Sequence, residues 1–206
     1  FYRECDTSRI SKFLSHSKLY EMSLGLPGDF LEAGVFKGAS FSRFRKLGRL
    51  FQPDHARKFY GFDVFGKFPD AEFEPDRIEL ERQLKIDGNS GISEKELYNI
   101  LDGQRLADNI KLVPGDVRET LPRFLEENQQ TSFSIVNIDL DLYEPTEVAI
   151  RLLYPRLVVG GIMILDDYEG YPGARIAANE VFNACAPSVK IQKFSFAQSP
   201  CYIVKT

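Results

Sequence analysis

The sequence predicts an α/β protein built on a mostly parallel sheet with helices on both faces, and two observations carry that expectation. Short runs such as Phe133-Ser-Ile-Val-Asn-Ile138 and Gly161-Ile-Met-Ile-Leu165 are almost continuously apolar, as strands buried on both faces of a parallel sheet are. Each run then meets acid: Asp139-Leu-Asp141 after the first, Asp166-Asp167 after the second. In an open α/β sheet ligands occupy the crevice outside the carboxyl ends of the strands. These aspartates are therefore expected to meet in one place and form a site.

Bulk properties set the bounds. The 206 residues fit a single domain, 1–206, long enough to bury a sizeable core. Hydrophobic content of 43% and charged content of 27% are those of an ordinary globular protein. A net charge of -4 disfavours nucleic acid as the main partner, since phosphate binding relies on a basic surface. Cys5, Cys185 and Cys201 are odd in number and lack metal-ligand spacing, so they read as free thiols, small buried hydrophobes in a reducing compartment. No apolar run of ~18 residues is present to span a bilayer, and the N-terminus lacks a signal-peptide pattern. No membrane partner and a cytoplasmic location are expected; a homo-oligomer is left open. The chain starts at Phe1 without Met, as one trimmed at its N-terminus does.

Residues 6–24 read as a helix covering one end of the core. Ile10, Phe13, Leu14, Ser17 and Tyr20 fall near helical spacing, and Asp6, Thr7 or Ser8 can cap it. After Gly25-Leu-Pro-Gly28, a strand from Asp29 carries Glu32 into the glycine-spaced turn Gly34-Val-Phe-Lys-Gly38, and a helix follows from Phe41 to Leu50. Glycine there permits φ > 0 and close approach of a ligand to the backbone. The helix start beside Ser40 offers free N–H groups. The spacing Glu-x-Gly-x-x-x-Gly is neither the dinucleotide Gly-x-Gly-x-x-Gly nor a P-loop, and an ordinary tight βα turn would look alike.

A second strand, Lys58–Phe62, runs into Asp63, 31 residues after Glu32. That is about one βαβ unit, where an acid accepts hydrogen bonds from ribose hydroxyls. The order places a nucleoside over the first two strands. Residues 64–109 then interrupt the alternation. Phe65–Pro69 and Asp70–Asp76 read as loop, Arg77–Lys85 and Ser93–Leu106 as helices, with Ser93 and Glu96 as a capping box. An insertion of this size is expected to be a lid or specificity element, with plain helical decoration as the alternative.

The third strand, Ile110–Pro114, ends at Gly115-Asp116, where Asp116 either accepts from an adenine amino group or caps the helix continuing over Glu119–Gln129. Beyond the fourth strand, Glu147–Tyr154 reads as helix and Pro155–Gly161 lead into the fifth. Gly173–Cys185 is a helix with Ile176, Val181 and Phe182 inward. Lys190–Ala197 and Cys201–Lys205, split by Gln198-Ser-Pro200, suit an antiparallel hairpin on the sheet edge and bring the strand count to seven.

Four carboxylates brought together cannot all stay ionised without a cation. Asp139 and Asp141 are two apart and share a face of extended chain. Oxygen ligands without nearby His or Cys point to a hard ion, Mg²⁺ first, with Ca²⁺ or Mn²⁺ as substitutes. Any one of these aspartates taken alone reads better as a cap or turn residue than as a ligand; the four together do not. A nucleoside site beside a metal suggests chemistry between a cofactor and a hydroxylated substrate, with three aspartates as ligands and one as base.

The assembled residues resemble the macrocin O-methyltransferase (TylF/MycF-type) family of class I S-adenosylmethionine-dependent sugar O-methyltransferases. The matching stretches are Gly28–Gly38, Gly61-Phe-Asp63, Glu119-Thr-Leu-Pro122, Asp139–Glu144 with Thr146, and Gly160-Gly161 through Asp166-Asp-Tyr168 to Gly173-Ala-Arg175. The resemblance implies a Rossmann-like class I methyltransferase with a seven-stranded sheet. It implies that Glu32, Gly34, Gly38 and Asp63 line the S-adenosyl-L-methionine site, Asp63 on the ribose; Ser40 and Asp116 complete the cofactor set. It also implies that Asp139, Asp166 and Asp167 bind Mg²⁺ and that Asp141 is the catalytic base. The acceptor would be a hydroxyl of a sugar or glycosylated small molecule. Three features depart from the family pattern: Tyr168-Glu-Gly-Tyr-Pro-Gly173, the composition of residues 64–109, and the short region before Gly28. All three lie on the acceptor side. Two other readings use the same sheet: a nicotinamide-dependent oxidoreductase, disfavoured by the glycine spacing, and a non-catalytic nucleoside-binding module, disfavoured by the intact aspartates. His16 and His55 are the imidazoles left as alternative bases, each otherwise read as a surface or helix residue.

Overall fold

The strands are β1 (Asp29–Ala33), β2 (Phe59–Asp63), β3 (Ile110–Pro114), β4 (Phe133–Ile138), β5 (Leu157–Leu165), β6 (Gln192–Lys193) and β7 (Cys201–Val204). They form one sheet in the order β3-β2-β1-β4-β5-β7-β6. Strands β1 to β5 pair in parallel, while β7 runs antiparallel to both β5 and β6. This computed structural model describes residues 3–52, 57–68, 70–88 and 90–206, so His55 lies outside the described residues. The expected fold class is the one observed.

Seven helices cover the sheet among the described residues: α1 (Thr7–Met22), α2 (Ala39–Phe51), α3 (Glu74–Asp87), α4 (Glu94–Gly103), α5 (Val117–Glu127), α6 (Tyr143–Leu153) and α7 (Pro172–Cys185). Period-2 alternation splits the strand residues between two cores. Leu31, Tyr60, Phe62, Val136, Ile138 and Met163 pack with Leu121 and Phe124 of α5, Ile150 of α6 and Val181 of α7. Phe30, Phe59, Ile135, Ile162 and Ile164 pack on the opposite face with Leu19 of α1, Phe44 of α2 and Leu101 of α4. Both faces are buried, which is why these strands read as continuous apolar runs. No helix among the described residues is long and apolar enough to cross a membrane.

Several element boundaries differ from expectation, each for a physical reason. The inward face of α1 is Ser15, His16, Leu19 and Tyr20, while Leu14 is 43% exposed; a fully buried imidazole took the place expected of an apolar residue. Helix α3 starts at Glu74, inside the stretch expected to be loop, with Pro75 in its first turn, where proline's fixed φ suits a helix start. Helix α6 starts at Tyr143 rather than Glu147 because its first N–H donates to the distant Asp76 carboxylate at 2.7 Å. Strand β5 starts at Leu157, four residues before expectation, because a register irregularity against β4, beside Gly160 at φ 80°, absorbs the glycine pair. In α7 the close-packing stripe is Gly173, Ala174, Ala177, Ala178, Val181 and Phe182, which leaves Ile176 37% exposed. Cys201 is buried and Cys5 partly so, but Cys185 is exposed; all three are free thiols.

The sheet order reverses between β1 and β4. There Gly34, at φ 91°, donates its N–H to the Phe62 carbonyl at 2.8 Å, and the Asp139 N–H donates to the Ala33 carbonyl at 2.8 Å. A Cβ added to Gly34 would lie 1.6 Å from the Asp139 carbonyl oxygen. The glycine expected to admit a ligand thus admits the exit of the neighbouring strand. Gly34→Ala is expected to cost more than about 3 kcal/mol, since both the φ and the space are wrong for a side chain; chemical denaturation of the variant checks this.

Candidate active site

A cleft of about 510 Å³ opens at the carboxyl ends of the strands around this reversal, within the size range of small-molecule sites. Gly34, Val35, Phe36, Ser40, Asp63 and Asp116 line one part of it; Lys12, Asp139 and Asp141 line another.

On the first side, the Asp63 carboxylate accepts the N–H groups of Val35 and Phe36, both at 2.8 Å, and of Phe65 at 2.7 Å. Three of its roughly four lone-pair sites are thus used by backbone, and its main visible work is to hold the β1–α2 turn against β2. Asp116 caps α5 through the Arg118 N–H at 2.8 Å and pairs with the Arg118 side chain at 2.7 Å. Of the two roles open to it, capping is realised, and its side chain still faces the cleft. Glu32 and Gly38 are not on the cleft wall. Gly38 caps α2 at φ 76°, where a Cβ would lie 2.6 Å from Leu97 of α4. Glu32 is fully buried beneath the cleft, accepts from Asn137 at 2.7 Å across the β1–β4 pair and lies beside the Ser40 hydroxyl. Burial pushes its carboxyl up to about 8.

On the other side, one carboxylate oxygen from each of Asp139, Asp166 and Asp167 lies within 4.8 Å of the other two. Asp166 and Asp167 are each 7% exposed; Asp139 and Asp141 are half-buried. Burial first, then neighbouring carboxylates, raises Asp139 and Asp167 well above the usual carboxylate range. Asp166 goes the other way: burial opposes its charge, yet the Lys12 ammonium beside it holds it down to about 2. The Lys12 ammonium is 2.5 Å from Asp166 Oδ2, whereas Asp166 Oδ1 is buried without a hydrogen-bond partner among the described residues. Oxygen-only ligands, mutual crowding and an unpartnered buried oxygen fit a hard divalent cation.

Asp141 occupies a strained turn. Its φ is +62°, uncommon for any residue but glycine, and the Leu142 N–H reaches back to the Leu140 carbonyl at 2.6 Å. The Asp141 N–H donates to Asp167 Oδ2 at 2.9 Å, and its side chain accepts from the Tyr171 hydroxyl. Burial, then Asp139, pushes the Asp141 carboxyl up to about 7.

Residues 14–192 match the Macrocin-O-methyltransferase (TylF) family. The chain belongs to this family. A Streptomyces olivaceus relative, "8-demethyl-8-(2,3-dimethoxy-alpha-L-rhamnosyl)-tetracenomycin-C 4'-O-methyltransferase", is 31% identical over 153 residues, 70% of this chain and 54% of the relative. The chain spans between about half and two thirds of the curated relatives it matches, 54 to 61%. Among solved structures, the calicheamicin methyltransferase CalS11 is 30% identical with a TM-score of 0.81, over 95% of this chain and 79% of that one. The O-methyltransferase NovP is 25% identical with a TM-score of 0.82, over 96% and 80%. The Rossmann-like class I methyltransferase fold expected of the macrocin O-methyltransferase family is therefore this chain's fold.

Three residues at the site escaped the sequence reading, Lys12, Arg43 and Tyr171, and His16 was expected there only as an alternative base. His16 is fully buried, stacks on Phe44 at 4.6 Å and stands between Arg43, 3.0 Å from Nδ1, and Asp166, 3.6 Å from Nε2. Burial pushes it down to about 4, so it is a neutral wedge inside the wall rather than an accessible base. The available signal was the i, i+4 pair Lys12 and His16 leading into Leu19 and Tyr20 on one helix face.

Glu32 yields a signed pH prediction. Its folded-state value of about 8 lies above the ordinary 4.5, so its contribution to stability is complete below pH 4.5 and is lost as pH rises through 8. Glu32→Gln is expected to melt no lower than the parent at pH 5. The variant's advantage should grow by at least about 3 °C by pH 8.5. Calorimetry at both pH values measures it, and a gap independent of pH contradicts a neutral buried Glu32.

Proposed function

We propose that this protein is an S-adenosylmethionine-dependent O-methyltransferase that methylates a hydroxyl of a sugar or glycosylated small molecule, with Mg²⁺ held by Asp139, Asp166 and Asp167. The observation that carries the reading is the convergence of these three carboxylates within 4.8 Å, with Asp139 and Asp141 lining the same cleft as the β1–α2 turn and Asp166 and Asp167 buried behind them. Family membership supports methyl transfer. A sugar acceptor is supported by the rhamnosyl-directed name of the Streptomyces olivaceus relative and by "Mycinamicin III 3''-O-methyltransferase" of Micromonospora griseorubida.

Methyl transfer requires the acceptor oxygen, methyl carbon and sulfur in line, so positioning supplies much of the rate. The turn at Gly34, Val35 and Phe36, braced by Asp63, would hold the donor. Asp141 would take the acceptor proton: it lines the cleft, and burial raises its proton affinity above that of an ordinary carboxylate. Bound Mg²⁺ would supply Lewis acidity and orientation to a hydroxyl beside it. Lys12 keeps Asp166 ionised, and the Tyr171 hydroxyl steadies Asp141. Residues 64–109 would close over the acceptor and account for its selection, and the whole chain would work as one catalytic unit.

Asp141→Asn is expected to leave S-adenosylhomocysteine and Mg²⁺ affinities within about threefold in calorimetry while turnover drops roughly 10²- to 10⁴-fold; full turnover would remove Asp141 as base. In thermal-shift assays S-adenosylhomocysteine should stabilise the protein and NAD should not, which separates methyl transfer from the oxidoreductase reading.

A further inference from the structure

One buried carboxylate lies outside the acid cluster and is used by none of the chemistry above. Asp76, in the first turn of α3, is fully buried. Its Oδ2 accepts the Tyr143 N–H at 2.7 Å and its Oδ1 accepts the Gly173 N–H at 3.1 Å. Those amides belong to the first turns of α6 and α7, whose N–H groups have no partner within their own helices. A single carboxylate therefore satisfies two helix starts at once, where the aligned backbone dipoles favour negative charge. Contact with α7 is close: a Cβ on Gly173 would lie 2.1 Å from Asp76 Oδ1.

The two helices begin where the acid-bearing loops end. Asp141 and Leu142 immediately precede α6, and Tyr171 caps α7. Around the carboxylate, Phe73 stacks on Tyr143 at 4.8 Å, and Leu142 packs with Ala71 and Leu80. The strained turn at Asp141 is thus held from both sides, by Asp167 at its own N–H and by Asp76 two residues later.

We propose that Asp76 is a positioning residue for methyl transfer: its carboxylate clamps the starts of α6 and α7 together and so fixes Asp141 against the Tyr171 hydroxyl. The first turn of α3, inside residues 64–109, is then part of the catalytic frame. This assignment rests on the methyltransferase reading for its effect on rate; the clamp itself does not.

Two measurements test it. In Asp76→Asn, hydrogen exchange of the apo protein should be at least tenfold faster in the first turns of both α6 and α7, with β4 unchanged. In the same variant kcat should fall at least tenfold, with S-adenosylhomocysteine affinity within threefold. Exchange unchanged at either helix, or wild-type kcat, overturns the proposal. A second pair of variants removes dependence on that protein folding. Tyr143→Pro and Tyr143→Ala both remove the ring stacked on Phe73, and only Tyr143→Pro also deletes the donor N–H, at a first helical position that tolerates proline. Tyr143→Pro should turn over at least fivefold more slowly than Tyr143→Ala, and equal rates overturn the clamp. An inactive wild-type protein with the expected exchange pattern would sink the methyltransferase reading and leave the clamp standing.

Discussion

Charge crowding at the exits of β4 and β5 is the constraint that the surrounding structure answers. Asp139, Asp141, Asp166 and Asp167 are delivered there by two adjacent strands, and like charges so close raise one another's proton affinity. The protein meets this with several compensations. Lys12 from α1 neutralises Asp166 directly. His16 stays uncharged between Arg43 and Asp166 rather than adding a third cation to Lys12 and Arg43. The Asp141 amide and the Tyr171 hydroxyl donate to Asp167 and Asp141 respectively. What remains unsatisfied, an oxygen of Asp166 and the mutual approach of three carboxylates, is what a divalent ion would take up.

This arrangement makes the two long-range carboxylates, Asp63 and Asp76, equivalent in kind. Each comes from one element and accepts backbone N–H groups of others: Asp63 from the β1–α2 turn, Asp76 from α6 and α7. Carboxylates shielded from water, Asp76 fully and Asp63 in part, are costly unless hydrogen-bonded. Here the cost is offset because the donors are orphan amides that would otherwise need partners of their own. Loops carrying reactive groups are thereby tied to the scaffold without a long apolar contact surface.

Much of the fold was legible because its strands are buried on both sides and its turns carry glycine and proline. The five central strands, the capping box at Ser93 and the convergence of Asp139, Asp166 and Asp167 follow from local pattern. Two of the misreadings share one cause. Helix α6 begins four residues early and α1 turns a histidine inward because partners distant in sequence decide each case. No window along the chain contains both Asp76 and Tyr143, or both His16 and Asp166. Asp116 was ambiguous for the opposite reason: a carboxylate at a strand exit serves a backbone amide or a ligand with the same atoms.

The joint between Gly34 and the Asp139 carbonyl has a bearing on how this scaffold could be reused. Because the strand exits interlock with no room for one more carbon, the β1–α2 turn and the first acidic loop are a single module. Transplanting the glycine turn to another sheet would require moving the β4 exit with it. Recombination between homologous chains should tolerate crossovers on either side of this pair far better than crossovers that divide it.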